Sequence, residues 1–372
     1  MKNSNFDDKI SMVGDKMIAD RIKKISSFLE GNEAIIIEND ANRFYFTGFN
    51  SSAGMVIITS QKAFFLIDFR YYEKAKKLVK HCEVILATKI YSQVSEIFSN
   101  NGVKNVFVET GNISIKKYNE YKQKFDFVTV SDDDKIEKEI YKMRSIKDND
   151  ELENIRRAQA LTDDTFNYIL NRIKAGVSER ELMLDMEFYM RKSGSEGIAF
   201  DFIVVSGKNS SLPHGVPTDK KIEVGDFVTM DFGAVVNGYR SDMTRTVAIG
   251  TVSQEQQRVY DTVLKAQKKA INFIKSGVKC CDADKVARDI IDSAGYSGCF
   301  GHSLGHSVGI EIHELPNCSP KSEDILLPGT VMTVEPGIYI ENKFGVRIED
   351  MVLVTEDGCS NLTHSPKELI II

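Results

Sequence analysis

The chain has 372 residues, 42% of them hydrophobic and 27% charged, with a formal net charge of −6. That balance is ordinary for a soluble globular protein, and its acidic sign argues against a nucleic-acid binder, which carries a basic patch or stripe. No apolar run approaches the ~20 residues needed to span a bilayer, and the stretch from Met1 to Lys16 lacks the apolar core and small-residue cleavage site of a secretory signal.

The length suits two domains at roughly 150 residues each. The six cysteines, Cys82, Cys280, Cys281, Cys299, Cys318 and Cys359, show no CxxC spacing. They read as reduced thiols of a cytoplasmic protein. Over residues 1–132, short apolar runs alternate with helix-like segments. The runs Ala34–Ile37, Gly54–Ile58, Ala63–Ile67 and Val106–Val108 predict strands, and Tyr71–His81 predicts a helix, so this part reads as an α/β domain. The charged stretch Ser131–Lys135 predicts a boundary, followed by a linker over 133–149 and a second domain over 150–372. Asp150 and Glu153 have capping-box spacing ahead of the periodic apolar run Ile155–Ile173, which predicts a long helix.

The second domain contains an internal repeat. Ile173-Lys174-Ala175-Gly176-Val177 recurs as Ile274-Lys275-Ser276-Gly277-Val278, and Gly194 and Gly197 recur as Gly295 and Gly298. Further on, Gly225-x-x-x-Thr229-x-Asp231-x-Gly233 is echoed by Gly329-x-x-x-Thr333-x-Glu335-x-Gly337, and Gly238-x-Arg240-x-Asp242 by Gly345-x-Arg347-x-Glu349. Each half therefore offers a helix and a strand pair with carboxylates at matching places. Two such halves about an approximate two-fold axis bring Asp231, Asp242, Glu335 and Glu349 together. Taken singly, Asp231 and Asp242 have Arg240 or Arg245 as candidate ion-pair partners. A converging set of carboxylates instead repels itself unless cations meet it, and two divalent ions bridged by carboxylates satisfy it.

Three of the six histidines, His302, His306 and His313, fall in the segment Gly301-His302-Ser303-Leu304-Gly305-His306-Ser307-Val308-Gly309-Ile310-Glu311-Ile312-His313-Glu314. Asn317 stands where a zincin helix would place its second histidine, so this is not an HExxH site. The spacing of its glycines excludes a dinucleotide fingerprint. His214 lies in the turn-like Leu212-Pro213-His214-Gly215. His81 and His364 have no such company and read as surface residues.

The ordered set Pro-His-Gly, Met-Asp-Phe-Gly, Ser-Asp-Met-Thr-Arg, Gly-His-x-x-Gly-His-x-x-Gly-x-x-x-His-Glu, Glu-Pro-Gly-x-Tyr and Arg-x-Glu-Asp resembles the pita-bread metallopeptidases. Within them it is most similar to the Xaa-Pro aminopeptidase and Xaa-Pro dipeptidase (prolidase) branch. Asn42–Phe49 and Ile67–Tyr71 resemble that branch's creatinase-type N-terminal domain. The resemblance implies a two-domain α/β (α+β) chain whose C-terminal catalytic domain has the pseudo-two-fold pita-bread fold. It further implies Asp231 on one metal, His306 and Glu335 on the other, and Asp242 and Glu349 bridging. Two divalent ions are expected, Mn²⁺ first, with Co²⁺ or Zn²⁺ as alternatives on ligand softness. Glu335 is also expected to handle the proton of the attacking water, His214 and His313 to stabilise the intermediate or leaving nitrogen, and His302 and Arg347 to handle substrate, with Tyr339 behind the ligands. The implied activity is an Xaa-Pro aminopeptidase, acting as a homodimer on peptides with proline second. The alternatives are an Xaa-Pro dipeptidase and, from another class, a non-catalytic peptide-binding module, which the complete ligand set disfavours.

Overall fold

The computed structural model describes residues 16–372, so the N-terminal stretch read above for a secretory signal lies largely outside the described residues. The backbone contacts divide the chain into two units between Arg144 and Ser145. Helix Lys135–Ser145 occupies most of the segment expected as a linker, and the division falls at its end.

The first unit is an α/β layer. Its six strands are β1 (Glu33–Ile37), β2 (Met55–Thr59), β3 (Ala63–Ile67), β4 (Glu83–Leu86), β5 (Asn105–Val108) and β6 (Thr129–Ser131). They lie in the order β4-β3-β2-β1-β5-β6. The strands β1, β2 and β3 pair antiparallel, whereas β4, β5 and β6 join parallel. All five residues in each of β1, β2 and β3 are buried, which is why these strands read as continuous apolar runs rather than alternating ones. Val94, Phe98 and Tyr121 from the helices, and Phe125 just past the end of one, pack against Ile36, Ile57 and Val106 of the sheet. The helix expected over 71–81 runs from Phe69 to Leu78. Asp68 accepts from the Arg70 amide and starts it early, and Val79 leaves it in extended conformation.

The second unit is built twice from one plan. Its first half has helices Asn149–Leu170 and Glu179–Lys192, then β7 (Ile203–Ser206), β8 (Phe227–Phe232), the short hairpin β9 (Val235–Val236) and β10 (Tyr239–Arg240), and β11 (Met243–Ala248). The second half has helices Gln254–Phe273 and Cys280–Ile291, then β12 (Gly305–Ser307), β13 (Glu314–Cys318), β14 (Val331–Val334), the hairpin β15 (Gly337–Ile340) and β16 (Phe344–Arg347), β17 (Asp350–Val354) and β18 (Cys359–Asn361). Antiparallel pairing of β8 with β11 in one half matches that of β14 with β17 in the other. Gly176 and Gly277, with φ of 93° and 83°, make the same left-handed turn between the two helices of each pair. The long first helix is capped by Asp148 and Glu151, not by Asp150 and Glu153: the Asp148 carboxylate accepts from the Glu151 amide, and Glu151 reaches back to the Asp148 amide.

Strand alternation then decides where the carboxylates point. In β8, Val228, Met230 and Phe232 pack with Phe166, Ile169, Leu182 and Met186 of the helices. The pleat turns Thr229 and Asp231 to the opposite face. In β14, Met332 and Val334 pack with Val259, Val263, Ala283 and Ala287, turning Thr333 and the following Glu335 away. Each half thus has its own helix-covered core, and its acidic residues lie on the strand face that the helices do not use. Among the described residues no helix is long and apolar enough to cross a membrane.

Candidate functional site

Asp231 lies near the end of β8, and Asp242 immediately precedes β11. Glu335 follows β14, and Glu349 precedes β17. The four positions are the repeat's equivalents. Asp231, Asp242 and Glu349 are 9%, 4% and 1% exposed. Their surroundings explain why they are not ordinary surface acids. His306 Nε2 stands 3.7 Å from Asp242 Oδ2 and 3.4 Å from Glu335 Oε1. One ligand atom from each of Asp242, His306 and Glu349 lies within 4.8 Å of the others, the spacing of a group that can hold a metal ion. The Glu349 carboxylate accepts from Thr244 Oγ1 at 2.7 Å, and Glu335 from Thr333 Oγ1 at 3.1 Å.

The candidate arginine partners weighed for the aspartates taken singly fall elsewhere. Arg245 binds Asp350 Oδ1 at 2.7 Å, and Arg240 donates to the Ala199 carbonyl. The cation beside Asp231 is Arg347, whose NH2 lies 2.7 Å from Asp231 Oδ2. Even so, Asp231 Oδ1 and Asp242 Oδ1 are buried with no hydrogen-bond partner. A buried carboxylate oxygen left without a donor costs several kcal/mol, and a bound cation removes that cost.

The electrostatics point the same way. Burial, then the charges of Glu349, Asp231 and Glu335, hold the Asp242 carboxyl well above the usual carboxylate range. Burial, Glu335 and Asp231 do the same to Glu349. Glu335 is pushed up to about 8, chiefly by burial, with Arg347 opposing and Asp231 reinforcing. Without a cation Glu335 keeps its proton at neutral pH, and Asp242 and Glu349 hold theirs more tightly than ordinary carboxylates; a divalent ion competes for the same oxygens.

The imidazoles are arranged as neutral rings. His306 Nδ1 faces the Ser307 carbonyl at 3.2 Å, so that nitrogen carries the proton and Nε2 turns its lone pair to the carboxylates. Burial, and then His313, lower its pKa to about 4. His302, also lowered to about 4 by burial and by Arg347, bonds the Ser303 carbonyl through Nδ1 and Tyr339 Oη through Nε2. The His313 ring lies 4.4 Å from that of His306, edge to face. Burial and His214 together lower the His313 pKa. Gly305 is required beside His306: a Cβ there would stand 2.0 Å from the Thr333 carbonyl oxygen, so only glycine lets β12 approach β14 this closely.

Arg347 is 3% exposed. Besides Asp231 it reaches Thr244 Oγ1, Tyr339 Oη and the Pro213 carbonyl. It ties the two halves and the His214 loop into one frame. His214 itself is exposed, as is His313. His364 is exposed as expected, but His81 is half-buried with Nε2 enclosed. All six cysteines are free. Two threonines escaped the sequence reading as site residues, Thr244 and Thr333. Both stand in motifs already singled out, Thr333 in the repeated strand motif and Thr244 in Ser241-Asp242-Met243-Thr244-Arg245, and could have been found there.

Comparison with known proteins agrees with this geometry. Residues 153–356 match metallopeptidase family M24, and residues 21–146 match the creatinase/prolidase N-terminal domain. The chain is 38% identical to an Xaa-Pro dipeptidase of Pyrococcus furiosus over 94% of its own length and 99% of that protein's. Among solved structures, an Xaa-Pro dipeptidase from Bacillus anthracis aligns with a TM-score of 0.89 at 39% identity, covering 97% of this chain and 100% of that one. An X-Pro aminopeptidase from Thermotoga maritima aligns with a TM-score of 0.89 at 36% identity, covering 95% and 99%. With its doubled helix-and-strand plan, its creatinase-type first unit and these matches, the chain belongs to metallopeptidase family M24, the pita-bread metallopeptidases.

Proposed function

We propose that the chain is a metal-dependent Xaa-Pro dipeptidase whose Asp231, Asp242, His306, Glu335 and Glu349 hold two divalent ions, Mn²⁺ first among them. The observation that carries the reading is the set of converging carboxylates, with buried oxygens on Asp231 and Asp242 that nothing in the protein satisfies. Two divalent cations held there would supply Lewis-acid polarisation of a scissile carbonyl and acidify a water toward neutral pH. The remaining work falls to the chain. Glu335, once a bound cation has displaced its proton, is the carboxylate to take a proton from the attacking water and pass it to the leaving nitrogen. His306 stays neutral and offers Nε2. His302 is fixed between Ser303 and Tyr339 and borders the substrate. His214 and His313, being exposed imidazoles, are the donors for the developing oxyanion. Arg347 keeps Asp231 and the Pro213 carbonyl in place.

The dipeptidase reading is preferred to the aminopeptidase expected from sequence because the Pyrococcus and Bacillus anthracis relatives bear that name. The similarity to the Thermotoga enzyme keeps the aminopeptidase as the second reading. The amide before proline has no N–H to offer and a fixed φ, so recognition rests on the ring's shape and the free amine. The test is a cleavage assay of the Mn²⁺-loaded protein on an Xaa-Pro dipeptide and an Xaa-Pro-Xaa tripeptide sharing the first residue. Cleavage of the dipeptide alone is expected. Cleavage of the tripeptide establishes the aminopeptidase, and cleavage of neither overturns both.

A further inference from the structure

We propose that Glu179 is a positioning residue for His214 in the reaction, an assignment that rests on the peptidase reading above. Glu179 is the first residue of helix Glu179–Lys192 and is 0% exposed. A carboxylate buried so completely costs several kcal/mol unless donors surround it. Here Oε1 accepts from the Ser206 amide at 2.7 Å and the Ser206 hydroxyl at 2.9 Å. Oε2 accepts from the Thr218 amide at 3.0 Å and the Thr218 hydroxyl at 2.6 Å. Asn209 Nδ2 reaches both oxygens, at 3.1 and 3.3 Å. The helix N-terminus adds its own favourable field.

These donors have a common meaning in the chain. Ser206 ends β7, and Thr218 lies where the chain returns toward β8. Between them run the 3₁₀ turn Gly207–Ser211 and the Leu212-Pro213-His214-Gly215 segment. One carboxylate therefore closes both roots of the loop that carries His214. The loop's far side is held from the site, because Arg347 donates to the Pro213 carbonyl at 3.2 Å while also binding Asp231. His214 is exposed, and its place is set by this loop.

The internal repeat separates this role from ordinary helix capping. Cys280 is the repeat's counterpart of Glu179 and likewise opens its helix. Its amide bonds the Asp324 carbonyl just as the Glu179 amide bonds the Lys220 carbonyl. The helix start thus forms in the second half without a carboxylate. What the first half has in addition is the His214 loop, and the Glu179 side chain is spent on it.

The test uses the full chain and four variants: Glu179→Gln, Thr218→Val, His214→Ala and Glu179→Gln with His214→Ala. Glutamine turns an amide NH₂ toward groups that are themselves donors. Three quantities are read: hydrogen exchange of residues 206–218, the Mn²⁺ binding isotherm, and kcat/KM on an Xaa-Pro dipeptide. Glu179→Gln is expected to lose exchange protection in that loop, to keep the Mn²⁺ isotherm, and to lose about 10- to 100-fold in kcat/KM, the scale of an ångström-level misplacement. The double variant should match His214→Ala alone. Thr218→Val, which removes one root bond, should move exchange and rate the same way by less, and it decides the matter if Glu179→Gln does not fold. Unchanged exchange, additive losses, or a rate loss that follows Mn²⁺ affinity overturns the assignment. A wild-type chain that binds Mn²⁺ but cleaves no Xaa-Pro peptide overturns the peptidase reading and the reaction role with it; the exchange data then decide the loop anchor separately.

Discussion

Metal binding should release protons, and the metal-free protein should lose stability as pH rises. The perturbation is addition of Mn²⁺ to metal-free protein across pH 5 to 8.5. Glu335 titrates near 8 in the metal-free site against an ordinary value of 4.5, and Asp242 and Glu349 are raised as well. A carboxyl with a raised folded-state value contributes stability that is complete below its unfolded value and is lost as pH climbs through the folded one. For Glu335 that window runs from about 4.5 to about 8. At about 1.4 kcal/mol per pKa unit the loss is on the order of 5 kcal/mol, some 10–20 °C in Tm for a domain of this size at about 2–4 °C per kcal/mol. Cations that replace those protons should restore the stability, so the Tm gain from Mn²⁺ should grow from pH 5 to pH 8. Calorimetric titration at pH 7 in buffers of different ionisation enthalpy should give an apparent binding enthalpy that varies with the buffer, corresponding to about one or more protons released per chain. A buffer-independent enthalpy, or a metal-free Tm that rises from pH 5 to 8, would refute the reasoning.

Two further outcomes follow from the buried polar groups. Arg245 is 1% exposed and bonds the carbonyls of Thr244, Glu349, Ser365 and Pro366 as well as Asp350. Arg245→Met should therefore cost about 3–5 kcal/mol in urea unfolding at pH 7, the scale of a broken buried pair. Asp350 lies within the protein, where burial raises its pKa but Arg245 and Lys367 prevail and hold it below the usual value. Its contribution is present above the unfolded value of about 3.9 and is lost as pH falls through the depressed one, so the difference between wild type and variant should shrink in acid; a constant difference would contradict the pairing. Thr333 donates to Glu335 and accepts from the His306 amide. Thr333→Val should weaken Mn²⁺ binding about 10- to 100-fold, as loss of a group orienting metal ligands does, and an unchanged isotherm would show that it orients neither.

Much of this site could be read from the chain alone, for a physical reason. The repeat writes the pseudo-symmetry into spacing, so Asp231 with Glu335 and Asp242 with Glu349 identify one another without any knowledge of distance. Of the first unit's strands, β1, β2, β3 and β5 were legible because they are largely buried and read as unbroken apolar runs, whereas β4 and β6, partly exposed, carry no such run and were not. Partner choice was not legible. Arg240 and Arg245 adjoin Asp242 in sequence, yet Arg245 meets Asp350 and it is Arg347 that meets Asp231, because β-pairing rather than chain proximity sets those contacts. The long helix begins at Asp148 rather than Asp150, since two acidic pairs two residues apart offer the same spacing and only backbone geometry selects between them. Glu179 gave no signal, because a buried carboxylate at a helix start looks like any acidic first-turn residue until its donors are seen.

The central claim is that one cluster of carboxylates with His306 holds two divalent ions and that hydrolysis depends on them. The most direct measurement counts Mn²⁺ per chain, by elemental analysis after dialysis, for wild type and Glu349→Ala, alongside Xaa-Pro dipeptide hydrolysis by the same samples. Two ions and hydrolysis in the wild type, with both lost in the variant, are predicted. Full hydrolysis by Glu349→Ala, or by wild type stripped of metal, would contradict the account.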